Sequence, residues 1–78
     1  MERITKGELI TLEDDARYVV VEVVEKDNKR YLYLVDETQK EVVIAEEIIE
    51  NDEIIIETLD DINKIMEISK LVCERLRD

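Results

Sequence analysis

Apolar and polar residues alternate with a period of two through most of the segment 8–59, and the pattern then changes. Because successive side chains of a strand point to opposite faces, the alternation predicts β-strands. Beyond it, apolar residues recur at spacings of three and four, which predicts one C-terminal helix. The predicted strands are 8–12, 18–26, 30–36, 41–49 and 53–59, and the predicted helix is 61–77.

Short polar links join these strands and predict how they pair. Asp27-Asn28-Lys29 and Asn51-Asp52 are suited to tight hairpin turns, because Asn and Asp tolerate left-handed backbone conformations. Strands joined so closely are expected to be antiparallel neighbours. The second strand is apolar on both faces, with Val20 and Val24 on one and Val19 and Val21 on the other, and a flat sheet with one helix cannot cover both.

We therefore predict a single α+β domain over 1–78, in which a curved antiparallel five-stranded sheet carries one C-terminal helix. The sheet is expected to resemble a small SH3-like barrel in outline, with the helix on one face or plugging one end. An open meander with the helix across one face is the alternative.

The helix has one main apolar stripe, which predicts the face that packs on the sheet. Cys73 lies on this stripe and is expected to be a buried structural cysteine, whereas Ile68 and Leu71 lie off it and could form a second face. Thr58 or Asp60 is predicted to cap the start of the helix. The stripe comprises Ile62, Ile65, Met66, Ser69, Val72, Cys73 and Leu76.

The charge balance changes the expected partners. The chain has 22 acidic and 11 basic residues and a net charge of -11, which disfavours direct binding to nucleic acid or to anionic membranes. No apolar run approaches the roughly 20 residues that span a bilayer, and the N-terminal residues lack the apolar core of a signal peptide. A single Cys precludes an internal disulfide, so a reducing cytoplasm is the expected compartment.

Catalytic chemistry has few candidate residues. The sequence has no His, one Gly and one Cys, which removes the commonest general base and the usual zinc and phosphate-binding motifs. We expect a protein that is not an enzyme and that uses no cofactor or metal. The alternative is a small enzyme using carboxylate pairs, which would need a deep cleft lined by Glu22, Glu25 or Asp36.

The most informative segment runs from Glu41 to Asp61, where nine acidic residues occur without a single Lys or Arg. A two-residue turn at Asn51-Asp52 would place Glu50 opposite Glu53 and Glu46 opposite Glu57. Like charges directly across a ladder are destabilising by a few tenths to about 1 kcal/mol each. One face would carry Glu46, Ile48, Glu50, Glu53, Ile55 and Glu57, and the opposite, core-facing side would carry Ala45, Ile49, Ile54, Ile56 and Thr58.

Two interpretations of this segment remain open. Acidic strands keep a β-rich protein soluble, and this explanation needs no partner. Alternatively, two isoleucines surrounded by carboxylates resemble an interface with an apolar centre and a charged rim, whose partner would be a basic protein surface. A homodimer is a further alternative. The predicted partner-binding residues are Glu46, Ile48, Glu50, Asp52, Glu53, Ile55, Glu57, Asp60 and Asp61.

The whole-chain pattern resembles a loose group of short acidic bacterial proteins without an assigned function. It comprises Gly7 and Leu12, then Tyr18-Val19-Val20-Val21, then Lys29-Arg30-Tyr31-Leu32-Tyr33-Leu34-Val35, followed by the acidic hairpin and a terminal helix. The group is associated with mobile genetic elements, so the resemblance implies a role against host defences. Its specific form would be a nucleic-acid mimic that inhibits a defence nuclease, as anti-CRISPR proteins do.

Overall fold

Five antiparallel strands form one sheet that curls into a half-barrel, with a single helix after the last strand, so the predicted α+β fold is confirmed. The computed structural model describes residues 3–12, 15–38 and 41–76. The order across the sheet is the order in the chain. The elements are β1 (Leu9–Thr11), β2 (Arg17–Lys26), β3 (Lys29–Asp36), β4 (Val42–Glu50), β5 (Glu53–Thr58) and α1 (Ile62–Leu76).

The strand bounds differ from the predicted ones by at most one residue at each end. The predicted end of the helix at Arg77 lies outside the described residues. Both tight turns occur, but the first comprises only Asp27 and Asn28, because the predicted third turn residue, Lys29, begins β3: φ is 53° at Asp27 and 65° at Asn28, then 52° at Asn51 and 64° at Asp52. Two consecutive residues with positive φ match the right-handed twist of the flanking strands, so each turn fixes the register of its hairpin.

A bulge in β2 divides the core between the two faces of the sheet. The pairing of β2 with β3 shifts between Val20 and Glu22. Val20 therefore packs inside the curl with Leu32 and Leu34, whereas Val24 packs under the helix. The prediction that Val20 and Val24 share a face was wrong, because one extra residue inverts the alternation beyond it.

The helix packs through a different face from the predicted one. Ile68 and Val72 are buried against Val24, Tyr31 and Ile44. The predicted stripe largely faces outward, with these exposed fractions: Ile62 69%, Met66 64% and Leu76 53%. Cys73 is also exposed, which corrects its expected burial.

The helix packs through a different face from the predicted one because its apolar arc is wider than the surface that the sheet offers. Ile65 and Val72 belong to both the predicted and the observed face, so the helix is rotated about its axis relative to the prediction. Ile68 and Leu71, predicted to lie off the stripe, are respectively buried and half-buried. Contacts between α1 and the sheet decide this rotation, and the apolar periodicity of the helix sequence does not reveal them.

The helix is capped by Asp61 rather than by Thr58 or Asp60. Its carboxylate Oδ1 accepts hydrogen bonds from the backbone N–H groups of Asn63, at 2.9 Å, and Lys64, at 3.4 Å. These N–H groups have no acceptor within the helix, so the cap stabilises its first turn.

The helix α1, the one helix of the described residues, is not long and apolar enough to cross a membrane.

Candidate protein-binding surface

The β4–β5 hairpin has the register that the sequence predicts. Glu50 pairs with Glu53, Ile48 with Ile55, and Glu46 with Glu57. Cross-strand partners project to the same side of a sheet, so these six side chains share a face. We call this set, Glu46, Ile48, Glu50, Glu53, Ile55 and Glu57, the acidic hairpin face.

The acidic hairpin face lies on the helix side of the sheet. Glu46 pairs with Tyr31 of β3, and Tyr31 is buried beneath α1. The helix contacts β2, β3 and β4, so the distal part of the hairpin extends past it. Ile49, predicted for the core, is 41% exposed, and Thr58 is also exposed. Ala45, Ile54 and Ile56 pack against the interior as predicted.

The hairpin acids lack basic partners in the part of the chain that the structure describes. Glu50, Asp52, Glu53, Glu57 and Asp60 are exposed, and none of them forms an ion pair with a described Lys or Arg. Glu46 and Ile48 are half-buried, and Ile55 is 39% exposed. The result is an apolar pair flanked by uncompensated carboxylates.

Asp60 and Asp61 lie in the link between β5 and α1 and differ in role. Asp61 caps the helix, and its carboxylate already accepts hydrogen bonds from two backbone N–H groups. Asp60 is exposed and forms no ion pair with the described residues. The register thus brings six of the nine predicted residues onto one face, Asp52 lies in the turn of the same hairpin, Asp60 follows β5, and Asp61 has a structural function as the helix cap.

Glu47 of β4 differs from the exposed hairpin acids, and sequence analysis missed its role. The Glu47 side chain is fully buried on the inner face of the sheet. Its Oε1 accepts from Arg3 at 2.6 Å and Arg30 at 2.9 Å, and its Oε2 accepts from the backbone N–H of Ile4 at 2.8 Å. This cluster holds the N-terminal segment across the inside of the half-barrel.

The pKa of Glu47 reflects two opposing effects. Burial by itself would raise the pKa of the carboxyl group, because it disfavours the charged form. The hydrogen bonds from Arg30, Ile4 and Arg3 and the charge of Arg30 outweigh it, so the pKa lies below its ordinary value of 4.5. Glu47 is therefore an ionised structural group at neutral pH.

A second buried acid, Glu22, lies next to the bulge of β2. The backbone N–H of Val23 donates to its Oε1 at 3.0 Å, and Lys6 donates to its Oε2 at 3.3 Å. The Val23 hydrogen bond is the main cause that lowers the pKa of Glu22, with Lys6 and Arg75 adding to it against the effect of burial. Arg75 of the helix also donates to the Val23 carbonyl at 2.8 Å.

A sequence signal for Glu47 existed in the predicted hairpin register. That register places Glu47 opposite Ile56, on the core-facing side, where a charge requires a partner. The partner could not be named, because Arg30 becomes its neighbour only through the pairing of β3 with β4. The longer link 37–41 does not fix that pairing in the way that a two-residue turn does.

Because the pKa of Glu47 is lowered, we expect the difference in stability between the wild type and Glu47→Gln to depend on pH. A carboxyl with a depressed folded pKa stabilises the fold above its unfolded pKa, near 4.5, and loses this contribution as pH falls through the folded pKa. We expect the stability gap between the two proteins to be constant from pH 7 to 5 and to narrow below about pH 4.5. Urea unfolding across this range measures it, and a gap that widens on acidification would contradict the lowered pKa.

The structure does contain a shallow groove with carboxylates, which bears on the enzyme alternative. Its volume is about 340 Å³, and Glu22 and Glu25 line it together with Lys6, Arg30 and Arg75. Glu22 pairs with cations and its pKa is lowered, whereas a carboxyl that acts as a general acid at neutral pH needs a raised pKa. Among the described residues, no three acidic or Cys side chains cluster as metal ligands.

Comparison with known proteins gives no relative on which to base a function. No protein-family model matches the sequence, and neither the curated proteins nor the solved structures contain a match.

Proposed function

We propose that the chain is a non-enzymatic binding protein that presents the acidic hairpin face, with Asp52 and Asp60, to a basic surface on another protein. The observation that supports this most is the group of carboxylates around Ile48 and Ile55 that form no ion pair with a described Lys or Arg, on a hairpin of fixed register. An apolar centre with a polar rim is the usual arrangement of an interface.

Several acids outside the acidic hairpin face are paired with bases, and this contrast strengthens the proposal. Glu22, Glu37, Glu47 and Glu67 all form ion pairs with nearby Lys or Arg. The hairpin instead sets Glu50 against Glu53 and Glu46 against Glu57. These like-charge pairs cost stability in the isolated protein, and a basic partner would relieve the cost on binding.

In its most specific form, the partner is a basic groove that normally holds nucleic acid, and the carboxylates take the place of phosphates. The protein would then be an inhibitor of the anti-CRISPR kind, directed at a host defence nuclease. The negative charge also argues that the protein itself contacts neither nucleic acid nor membrane directly. The proposal places it in the cytoplasm, where the single Cys73 stays reduced.

The test is a pull-down from host lysate with two variants of equal net charge. Glu50→Lys with Glu57→Lys reverses two charges of the acidic hairpin face, and Glu41→Lys with Glu74→Lys reverses two exposed charges elsewhere. We expect the first variant to lose the captured partner and the second to retain it, with binding weakening as NaCl rises. Release of the partner by excess duplex DNA would identify a nucleic-acid groove. Equal capture by both variants would contradict the proposal.

A homodimer is the second candidate, and one observation favours it. Ile62, Met66 and Leu76 form an outward apolar stripe on α1 that a second copy could cover. The residues that the sequence suggested for this role, Ile68 and Leu71, instead pack against the sheet. Sedimentation at micromolar concentration separates a dimer from a monomeric binding protein.

A further inference from the structure

Three stretches of strand edge in the sheet differ in how they are protected. Strand β1 is an edge of only three residues, Leu9–Thr11. The part of β2 beyond β1 contains the bulge, and both backbone groups of Val23 are already bonded, its N–H to Glu22 and its carbonyl to Arg75. Short edges, bulges and charged covers are the usual means of blocking unwanted strand pairing.

Strand β5 is neither short nor bulged, and its protection is limited to the charges of Glu53 and Glu57. It is six residues long, Glu53–Thr58, it pairs only with β4, and that pairing has no register shift. Among the described residues, no side chain donates to or accepts from its outer backbone groups. Its outer edge is therefore a regular template for another strand.

The register identifies the backbone groups on this edge. Leu59 donates its N–H to the Ile44 carbonyl at 2.9 Å, so Leu59 bonds inward to β4. Hydrogen-bonding direction alternates along an antiparallel strand, so Glu53, Ile55 and Glu57 also bond inward. The N–H and C=O groups of Ile54, Ile56 and Thr58 consequently point outward, away from β4.

The side chains beside this edge indicate the chemistry of the strand that would pair with it. Glu53, Ile55 and Glu57 project to one face, and both carboxylates lack an ion-pair partner among the described residues. A second copy paired antiparallel and centred on Ile55 would set Glu53 against the Glu57 of its mate at both ends, which is repulsive. A basic strand would instead be attracted at both positions.

Building on the proposed function, we infer that the partner contributes an extended basic segment that adds to β5 as a sixth strand. Glu53 and Glu57 are four residues apart, which is about 13 Å along a strand. The matching segment carries two Lys or Arg residues at the same spacing, with an apolar residue midway to contact Ile55. Backbone hydrogen bonds to Ile54, Ile56 and Thr58 supply affinity, and the alternate side chains supply specificity.

The probe is the peptide acetyl-Thr-Arg-Thr-Val-Thr-Arg-Thr-amide, titrated into the full chain by calorimetry and by NMR. Two N-methylated versions separate strand addition from simple charge attraction. Methyl groups on the two threonines beside Val remove the N–H groups that face β5, whereas methyl groups on Val and the second Arg alter only N–H groups that face away. Both versions keep the same net charge.

We expect the first version to bind at least about tenfold more weakly than the unmethylated peptide, because two backbone hydrogen bonds are lost. The second version is expected to bind within about threefold of it. The amides of Ile54, Ile56 and Thr58 should become protected from hydrogen exchange in the complex. In the free chain the same amides should be unprotected, since like charges oppose pairing of two β5 edges.

The outcomes distinguish this inference from the proposed function. Equal binding by both methylated peptides, lost with Glu50→Lys and Glu57→Lys, would refute strand addition but support a basic partner for the acidic hairpin face. A free chain that is dimeric, with its β5 amides already protected, would show that a second copy occupies the edge and would overturn the inference. Absence of binding by every peptide at millimolar concentration would also overturn it.

Discussion

Replacing Glu47 with Gln is expected to lower the free energy of unfolding by about 3 kcal/mol, because it leaves two guanidinium groups without their buried counter-charge. Glu47 is fully buried and joins Arg3, Arg30 and the Ile4 N–H. The Arg30 side chain is only 16% exposed and keeps one exposed carboxylate partner, Glu25 at 3.5 Å, so the loss of Glu47 is compensated only in part. In a domain of this size, that loss corresponds to a decrease in Tm of about 15 °C, measurable by thermal or urea unfolding.

The matched control is Glu50→Gln, which makes the same chemical change three residues away in the same strand. Glu50 is exposed and faces Glu53, so its neutralisation is expected to leave stability unchanged or to raise it by a few tenths of a kcal/mol. If Glu47→Gln proves too unstable to study, Arg3→Gln provides a milder test, with an expected loss of about 1 kcal/mol. Equal stability of the Glu47 and Glu50 variants would mean that Glu47 is not a buried ion-pair centre.

Replacing Ile68 with Ala is expected to destabilise the protein by about 3 kcal/mol, because it opens a cavity between the helix and the sheet. Ile68 has no exposed surface and packs with Val24, Tyr31 and Ile44. The same change at Ile62, which is 69% exposed on the same helix, is expected to alter stability by less than about 0.5 kcal/mol. Urea unfolding of the two variants measures the difference.

This comparison discriminates directly between the two possible helix faces. The periodicity alone places Ile62 in the packed stripe and Ile68 outside it, so it predicts the opposite ranking. A larger loss at Ile62 than at Ile68 would therefore contradict the observed orientation of α1. If Ile62→Ala destabilised the protein only at high concentration, the outward stripe would be a dimer contact.

The parts of the candidate surface that the sequence could predict all depend on local geometry. Asn51 and Asp52 adopt left-handed conformations at little cost, so a two-residue turn follows, and the turn fixes every pair from Glu50–Glu53 to Glu46–Glu57. Strand alternation then assigns those side chains to one face. Neither step requires knowledge of distant residues.

The sequence by itself determined the five strands, the helix, the two tight turns and the composition of the acidic hairpin face, because each follows from contacts between residues close in the chain. Tertiary structure alone decided the rotation of α1, the opposite placement of Val20 and Val24, and the pairing of Glu47 with Arg3 and Arg30. These features depend on a bulge and on contacts across the sheet. Burial then decides the role of each charge: Glu47 stabilises the fold because cations surround it, while Glu50 is exposed and pairs with no Lys or Arg in the described part of the chain.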